Sequence, residues 1–417
     1  MKRRMLQTMA CAVCLALILG GCGFPGWFGP KERTLVFRHW DEDNAAVYEQ
    51  LAETYEQRNP GLSIELQVVP REEYVRRFLS DAKDKTLADA FLLPADSAFS
   101  QILGTGQLAD LTGSVPVSEE NISGAPFFGT VDSHVWALPF TADMPVVFYH
   151  KSFFQKLGLM EPLNLKEMTT CVQLLCEDGV SPIVFASGKA GESDALEFAE
   201  GILTNSCYDT PLLTTADALN ETGSLDTGFG DLIAFVRQMY ESGYFSRTPA
   251  KSLIEDFAKG KYAMLPARFS RYEEIRKAAP GGDIGFFVMA GGLDTKTAVL
   301  KSTSLLGVWK GGKLTQDARG FLSYLTSAEG QGSFCSAASV LPGAAQAELT
   351  DPDLSRAQRL MQTGDGFLPS FFQRMDGKQL EICSQYILGM LSQQVDDENS
   401  YLKQWYAALE HTRQKEG

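Results

Sequence analysis

Aromatic and polar side chains follow apolar segments that have the pattern of β-strands. Trp40 and Asp41 come directly after the first segment, Asp96 follows a later one, and Thr141 and Asp143 lie in a third strand-end loop. An aromatic ring packs against the C–H face of a sugar-like polyol, and planar polar groups hold its hydroxyls in pairs, because a neutral polyol has no charge to bind. These five residues are therefore the first ligand-binding candidates.

Each of these residues also has a purely structural alternative. Trp40 could pack on its own lobe, and Asp41 could cap the helix that follows it. The loop of Asp96 could instead start the next helix, because Ser97 is a good N-cap for it. Asp143 could form a turn by accepting hydrogen bonds from nearby amides.

The segments before these loops alternate between strand and helix patterns. Short apolar or alternating runs predict strands at 34–37, 62–69 and 90–93, and helical spacing predicts helices at 44–58 and 71–83. This order is typical of an α/β layer with parallel strands, whose ligands bind at the carboxyl ends of the strands. The site is therefore expected in the loops 39–43, 94–97 and 140–144.

A second set of elements follows residue 143. A strand is predicted at 146–149, and helices at 151–157, 196–203, 230–241 and 254–260. The chain after its first 33 residues is too long to fold around one hydrophobic core, and the 44% apolar composition of the sequence is enough for two cores. We therefore expect two lobes.

The N-terminal segment has the pattern of a bacterial lipoprotein signal. Lys2, Arg3 and Arg4 precede a short apolar run at 9–19, which ends in Gly-Gly before Cys22. This pattern predicts removal of residues 1–21, a lipid on Cys22 and a Gly- and Pro-rich tether at 22–33. The alternative is an ordinary secretory signal with an incidental cysteine.

Composition limits the partners. The net charge is −15, and loss of the three basic residues of the signal makes the mature chain more acidic still. An acidic surface repels nucleic acid and anionic lipid, so we expect no nucleic acid, membrane contact through the lipid only, and a neutral or cationic ligand. The five mature cysteines besides Cys22 form a poor disulfide framework, and Cys171 and Cys176 are expected to be buried thiols. Such thiols are typical of a Gram-positive surface.

Enzyme and metal motifs are absent from the sequence. No nucleophile elbow, His-Glu-x-x-His motif or phosphate loop occurs, and the four histidines are scattered. The acidic run at 41–43 has neither the glycine nor the distal glutamate of a calcium loop. We expect no enzyme activity, no cofactor and no metal.

Several segments, taken in order, share a pattern with a known family, and one of them is Trp136-Ala137-Leu138-Pro139-Phe140. The segments are 37–40, 55–61, 87–91, 106–111, 136–140, 147–151, 154–159 and 257–264. Together they resemble the family 1 extracellular solute-binding proteins of ABC importers, the group that includes maltose-binding protein. The chain departs from the family pattern at Ala88-Asp89, at His150 and after Met264.

The resemblance implies a two-lobe periplasmic-binding-protein-like fold of type II, with hinge strands between discontinuous lobes. The chain would cross near 142–144, 289–301 and 340–342. Lobe 1 would comprise 34–142 plus about 300–340, and lobe 2 would comprise 143–299 plus about 341–417.

The resemblance also adds candidates from the second lobe. It places Arg268 and Phe269 on a ligand-facing loop, although Arg268 could instead form a salt bridge between the lobes. Phe372 and Arg374 follow Pro369 in an aromatic and basic cluster that fits a closing lid. Trp309 lies in a strand pattern and is expected to pack in the core.

The expected function is a lipid-anchored extracellular receptor, monomeric, that closes on a carbohydrate and delivers it to the permease of an ABC importer. A polyamine, peptide or metal chelate is the alternative cargo for the same fold. A surface glycan hydrolase or adhesin is a different class of function, and no pair of acids at glycosidase spacing can be assigned for it.

Overall fold

The computed structural model describes the main body of the chain. The described residues are 32–113, 129–187, 189–206, 222–288, 298–343, 347–361, 367–369, 377–391, 400–401, 403–405 and 407–408. Cys22, Phe372 and Arg374, which the sequence analysis singled out, lie outside them. No helix among the described residues is both long enough and apolar enough to cross a membrane.

Fourteen strands occur within the described residues. They are β1 (Arg33–His39), β2 (Leu62–Val68), β3 (Ala90–Pro94), β4 (Thr130–Val131), β5 (His134–Val135), β6 (Leu138–Asp143), β7 (Pro145–His150), β8 (Ser181–Ser187), β9 (Phe245–Pro249), β10 (Tyr262–Arg268), β11 (Ile284–Val288), β12 (Ala298–Val308), β13 (Leu341–Pro342) and β14 (Phe367–Pro369).

The α-helices of the described chain are α1 (Ala45–Arg58), α2 (Arg71–Asp84), α3 (Ser97–Gly104), α4 (Lys151–Leu157), α5 (Leu165–Glu177), α6 (Lys189–Ser206), α7 (Thr222–Glu241), α8 (Leu253–Ala258), α9 (Tyr272–Ala278), α10 (Thr315–Leu325), α11 (Ala328–Ala338), α12 (Pro352–Leu360) and α13 (Gly377–Leu391).

The first sheet has the strand order β13-β6-β12-β3-β1-β2, with β14 beside β12. β1 runs parallel to β2 and β3, whereas β12 runs antiparallel to β3 and β6. The turn between α1 and β2 is possible because Gly61 adopts a φ of 81°, which glycine tolerates without steric cost. The predicted strand–helix–strand pattern of residues 34–93 is confirmed.

The second sheet has the strand order β11-β7-β10-β8-β9. β10 runs antiparallel to β7 and parallel to β8. Each sheet has its own buried apolar clusters: Phe37 and Phe140 belong to the first, and Val147 and Phe185 to the second. The chain therefore has more than one core, as its length predicted, and a further cluster that includes Ala142 and Val146 joins the two sheets.

The two sheets are joined directly at Met144. β6 ends at Asp143 in the first sheet and β7 begins at Pro145 in the second. β6 is flanked on both sides, because Ala142 pairs with Ser302 of β12 and with Leu341 of β13. The carboxyl end of β6 is thus held between two strands where it leaves the sheet.

Two local predictions were wrong. Asp96, and not Ser97, is the N-cap of α3, because its carboxylate accepts a hydrogen bond from the Ala98 amide. Cys171 is buried as predicted, but Cys176 is exposed. Five residues of separation turn the two thiols to different faces of α5, and only one of those faces meets the core.

Candidate functional site

A cavity of 310 Å³ lies between the two sheets. Most of its lining comes from the carboxyl ends of first-sheet strands and from nearby helices, and a smaller part comes from the end of β10. The lining residues are Trp40, Asp41, Asn44, Tyr48, Leu92, Thr141, Ala142, Asp143, Arg268, Phe269, Ser270, Thr303, Ser304, Phe334, Val340 and Leu341. The cavity therefore has polar groups from both sheets and an apolar wall.

Trp40 supplies the aromatic part of this lining. It follows β1 directly and is half-buried, with its ring edge-on to Tyr74 at a centroid distance of 4.8 Å. The guanidinium carbon of Arg71 lies 4.4 Å from the Trp40 ring centroid, at cation–π distance. The ring therefore packs on Tyr74, as the structural alternative supposed, and it also lines the cavity, while its contact with a ligand stays a prediction.

Asp41 follows Trp40 and precedes the N-terminus of α1. Its two carboxylate oxygens accept hydrogen bonds from Nδ2 of Asn44 at 3.0 Å and 2.9 Å. The helix itself begins at Ala45 with Asn44 as N-cap, and no side chain caps its backbone. Asp41 consequently orients the Asn44 amide and does not cap the helix.

Three hydroxyls form a chain on the neighbouring strands β6 and β12. The Oγ1 of Thr141 lies 2.6 Å from the Oγ1 of Thr303 and 2.6 Å from the Oγ of Ser304. We call Thr141, Thr303 and Ser304 the hydroxyl triad. Since each hydroxyl donates once and accepts more than once, the triad keeps spare acceptor capacity toward the cavity.

Asp143 ends β6 and is 4% exposed. Its Oδ1 accepts hydrogen bonds from the backbone N–H groups of Met144 at 2.9 Å and Ser270 at 3.0 Å. Burial raises the pKa of the Asp143 carboxyl, against the opposing effects of the Ser270 hydrogen bonds and the Arg268 charge. Asp143 thus ties the sheet junction to the loop after β10, while its side chain also lines the cavity.

Arg268 ends β10 and enters the cavity from the second sheet. Its Nη2 forms an ion pair with Glu197 of α6, a carboxylate that is 4% exposed. The ammonium of Lys301, on β12, lies 3.6 Å from the same carboxylate oxygen. Both members of the Arg268 ion pair lie on the second sheet or on the helix packed against it, whereas Lys301 reaches the same carboxylate from the first sheet.

The remaining candidates have other surroundings. Asp96 is outside the cavity lining and pairs with Arg71 at 3.0 Å. Phe269 borders the cavity but is 1% exposed, because it packs on Tyr272 and Phe286 in a core. Trp309 packs against first-sheet apolar residues, as predicted.

Metal-ligating side chains are not gathered anywhere in the described part of the chain. No group of three or more His, Cys, Asp or Glu residues is placed there to hold an ion. The polar groups that line the cavity include the Asp41 carboxylate with its Asn44 partner, the Asp143 carboxylate, the hydroxyl triad and the Arg268 guanidinium. This set can form hydrogen bonds to a polar ligand.

A family of proteins described as bacterial extracellular solute-binding proteins matches this chain over residues 50–362. The chain belongs to this family. The match covers the second sheet, the first sheet apart from β1 and β14, and most of the cavity lining, including the end of β6 and the end of β10.

Individual relatives of this solute-binding protein are distant in sequence. A protein of Escherichia coli (strain K12) named as a candidate ABC transporter periplasmic-binding protein, YcjN, is 22% identical over 304 residues, which cover 69% of this chain and 67% of YcjN. The sugar-binding protein MalE of Xanthomonas citri is 16% identical, with a TM-score of 0.75 over 91% of this chain and 98% of MalE. The apo form of RafE from Streptococcus pneumoniae is 17% identical, with a TM-score of 0.74 over 91% and 97%. The fold is the two-lobe, type II fold of periplasmic-binding proteins.

Sequence analysis of this solute-binding protein missed several residues around the cavity. Thr303 and Ser304 belong to a polar run, 301–304, between two apolar parts of β12, which was a usable signal. Glu197 and Glu200 are the two acids of the predicted helix 196–203. Glu197 is buried, and a buried acid on an apolar helix face indicates a fixed cationic partner. Asn44 and Tyr48 carried no signal beyond helix propensity.

Proposed function

We propose that this solute-binding protein is a lipid-anchored receptor on the outer face of the cell membrane that binds a carbohydrate and delivers it to an ABC importer. The observation that carries the proposal is the composition of the cavity. Trp40 offers an apolar ring, while Asp41 with Asn44, the hydroxyl triad and Arg268 offer planar and hydroxyl groups. A sugar presents C–H faces to the first kind of group and hydroxyls to the second.

The proposed mechanism is closure of the two lobes on the ligand. Trp40 follows β1 and the hydroxyl triad belongs to β6 and β12 of the first sheet, whereas Arg268 ends β10 of the second sheet and Ser270 comes two residues later. A ligand that contacts both sets stabilises the closed arrangement over the open one. The division we propose is lobe 1 at 34–142 plus about 300–340 and lobe 2 at 143–299 plus about 341–417, and the closed monomer would be the form the permease recognises.

The relatives support the transport role and the sugar class. YcjN is named after the periplasmic-binding component of an ABC transporter, and MalE is described as a sugar-binding protein. The N-terminal pattern before Cys22 supports a lipid anchor that would keep the receptor near its permease. The family consists of binding proteins, which favours a receptor over a glycan hydrolase.

Thermal melting against a ligand panel tests the proposal. The mature chain carrying Cys22→Ser, so that it stays unlipidated, would be melted with neutral sugars, polyamines, peptides and metal chelates. A ligand at a hundred times its dissociation constant adds about 2.7 kcal/mol to the free energy of unfolding. A shift with a sugar supports the proposal. A shift with a polyamine alone would instead favour the cationic cargo that Asp41 and Asp143 could attract, and would reject the carbohydrate.

A further inference from the structure

Two cations share one buried carboxylate beside the cavity. The Nη2 of Arg268 and the ammonium of Lys301 both face Oε1 of Glu197, and the ammonium lies 3.6 Å from that oxygen. Glu197 is buried, so solvent screens these charges much less than it would at the surface. Because both cations act on the same carboxylate and repel each other, each weakens the hold of Glu197 on the other.

The ion pair between Arg268 and Glu197 uses only one edge of the guanidinium. Nη2 is its one hydrogen bond to Glu197, and the Nε is buried with no hydrogen-bond partner in the described part of the chain. A two-point pair with a carboxylate would fix the plane of the guanidinium, which a one-point pair does not do. The side chain is 34% exposed and lines the cavity. The guanidinium can therefore turn about Nη2 toward a bound molecule.

Lys301 reaches this pair from the other sheet. Arg268 ends β10, and Glu197 belongs to α6, which packs on β8 and β10 of the second sheet. Lys301 belongs to β12 of the first sheet and pairs in register with Asp143, the residue before the sheet junction. A rearrangement of one sheet against the other would therefore change the distance from Lys301 to Glu197 before it changed the Arg268–Glu197 pair.

We propose that Lys301 is a positioning residue: by sharing Glu197 from across the sheet junction, it loosens the Arg268–Glu197 pair and keeps the guanidinium available to a ligand. This inference rests on the proposed function, in which Arg268 contacts the carbohydrate.

The electrostatic surroundings of Arg268 show why a competing cation matters. Burial alone would lower the pKa of its guanidinium, but the charges of Glu197 and Asp143 outweigh that effect and raise the pKa overall. Carboxylates thus dominate the surroundings of this arginine. Lys301 is the one other cation of the described chain within ion-pair distance of Glu197, so it is the group that opposes their hold.

Chemical modification of Arg268 tests the inference without any ligand. Phenylglyoxal adds to the neutral form of a guanidine, so a tighter carboxylate pair slows the reaction, and mass spectrometry of the peptide that contains Arg268 measures the rate. In the mature Cys22→Ser chain, Lys301→Met should lower the rate at least about threefold, because Glu197 then acts on Arg268 alone. Lys301→Arg restores the charge and should react at the wild-type rate. Glu197→Gln should react faster than wild type.

The sign of the change separates positioning from a structural role. If Lys301 only supported the cavity wall, its loss would expose Arg268 and speed the reaction, so a faster or unchanged rate in folded Lys301→Met protein would overturn the inference. Lys301→Gln, which keeps a polar end, takes its place if the methionine variant does not fold. Lys259→Met is the matched control, because Lys259 is exposed and pairs with Glu255 outside the cavity lining. Equal slowing in this control would also overturn the inference.

The measurement is independent of the ligand panel. Failure of every sugar in thermal melting would reject the carbohydrate function and with it the role of Arg268 toward a sugar. The modification rates would still show whether Lys301 competes for Glu197, since no sugar takes part in that reaction.

Discussion

The guanidinium of Arg71 covers one face of the Trp40 indole, and Asp96 holds that guanidinium in place. The distances are 4.4 Å from the Arg71 carbon to the ring centroid and 3.0 Å from Nη2 to the Asp96 carboxylate. Asp96 was predicted from its position after β3 as a possible ligand contact. In the structure its connection to the cavity runs through Arg71, which fixes the orientation of the ring.

Removing the indole should weaken ligand binding more than it weakens the fold. Trp40→Ala deletes the one aromatic side chain of the described lining that is not fully buried, and we expect affinity for the sugar to fall at least about tenfold, or about 1.4 kcal/mol. Titration calorimetry measures the affinity and circular dichroism the melting temperature. Trp309→Phe is the control, since Trp309 packs in a core away from the cavity. Equal affinities of wild type and Trp40→Ala would remove Trp40 from the site.

Thr141→Val should break the hydroxyl triad while preserving shape. Thr303 and Ser304 each lose a hydroxyl partner at 2.6 Å, so we expect a loss of about 1 kcal/mol in the free energy of unfolding. We also expect weaker sugar binding. Urea denaturation and calorimetry measure the two effects. Thr170→Val, on the exposed face of α5, loses only a hydrogen bond to the Lys166 carbonyl and should leave the affinity unchanged.

Asp143 should make the stability depend on pH in a defined direction. Burial raises the pKa of its carboxyl in the folded state, so its stabilising contribution is complete below the unfolded pKa and is lost as the pH rises through the folded pKa. Asp143→Asn stays neutral and keeps an oxygen for the two backbone donors. Its urea midpoint should therefore rise relative to wild type as the pH increases from about 4. A difference that shrinks with rising pH would show the opposite shift.

Gly343 lies where the chain leaves β13, and its position requires the absence of a side chain. A Cβ atom there would come within 2.9 Å of the Phe140 carbonyl carbon and 3.0 Å of the Thr141 amide nitrogen. These are backbone atoms that cannot move aside locally, so Gly343→Ala should cost about 1–3 kcal/mol in the free energy of unfolding. Gly104→Ala is the matched control, since a Cβ atom there meets nothing within 4 Å. Similar urea midpoints for the two variants would contradict the prediction.

Cys22 should carry the lipid anchor. Cys22→Ser removes the thiol that would carry the lipid, so we expect the protein to lose incorporation of labelled palmitate. Metabolic labelling followed by immunoprecipitation measures the incorporation, and Cys176→Ser is the control because that thiol is exposed on α5. Unchanged labelling of the Cys22→Ser protein would rule out a lipid at this residue.

Local patterns predicted the first lobe well. Alternating apolar residues predicted β2, and the Asn-Pro-Gly turn predicted the end of α1. The rule that ligands bind at the carboxyl ends of strands then placed Trp40, Asp41 and Thr141 in one cavity. The strand and turn patterns depend on residues close together in the chain, so the sequence contains them directly, whereas the shared cavity followed from the strand-end rule.

Non-local contacts account for what sequence reasoning missed. Thr303 meets Thr141 across 162 positions, and Glu197 meets Arg268 across 71. Both contacts depend on which strands and helices become neighbours, and periodicity gives no information about that choice. Asp96 likewise pairs with Arg71 because α2, which begins at Arg71, packs close to the end of β3.

The junction at Met144 is a pivot point between the two sheets. One residue separates the two sheets, and the residue before it, Asp143, lines the cavity. A rotation of one lobe on the other about this point would move groups near the cavity only slightly, while the outer rims of the lobes would travel furthest. A ligand bound next to this pivot would therefore need only small displacements of its own contacts to produce a large displacement of the outer rims.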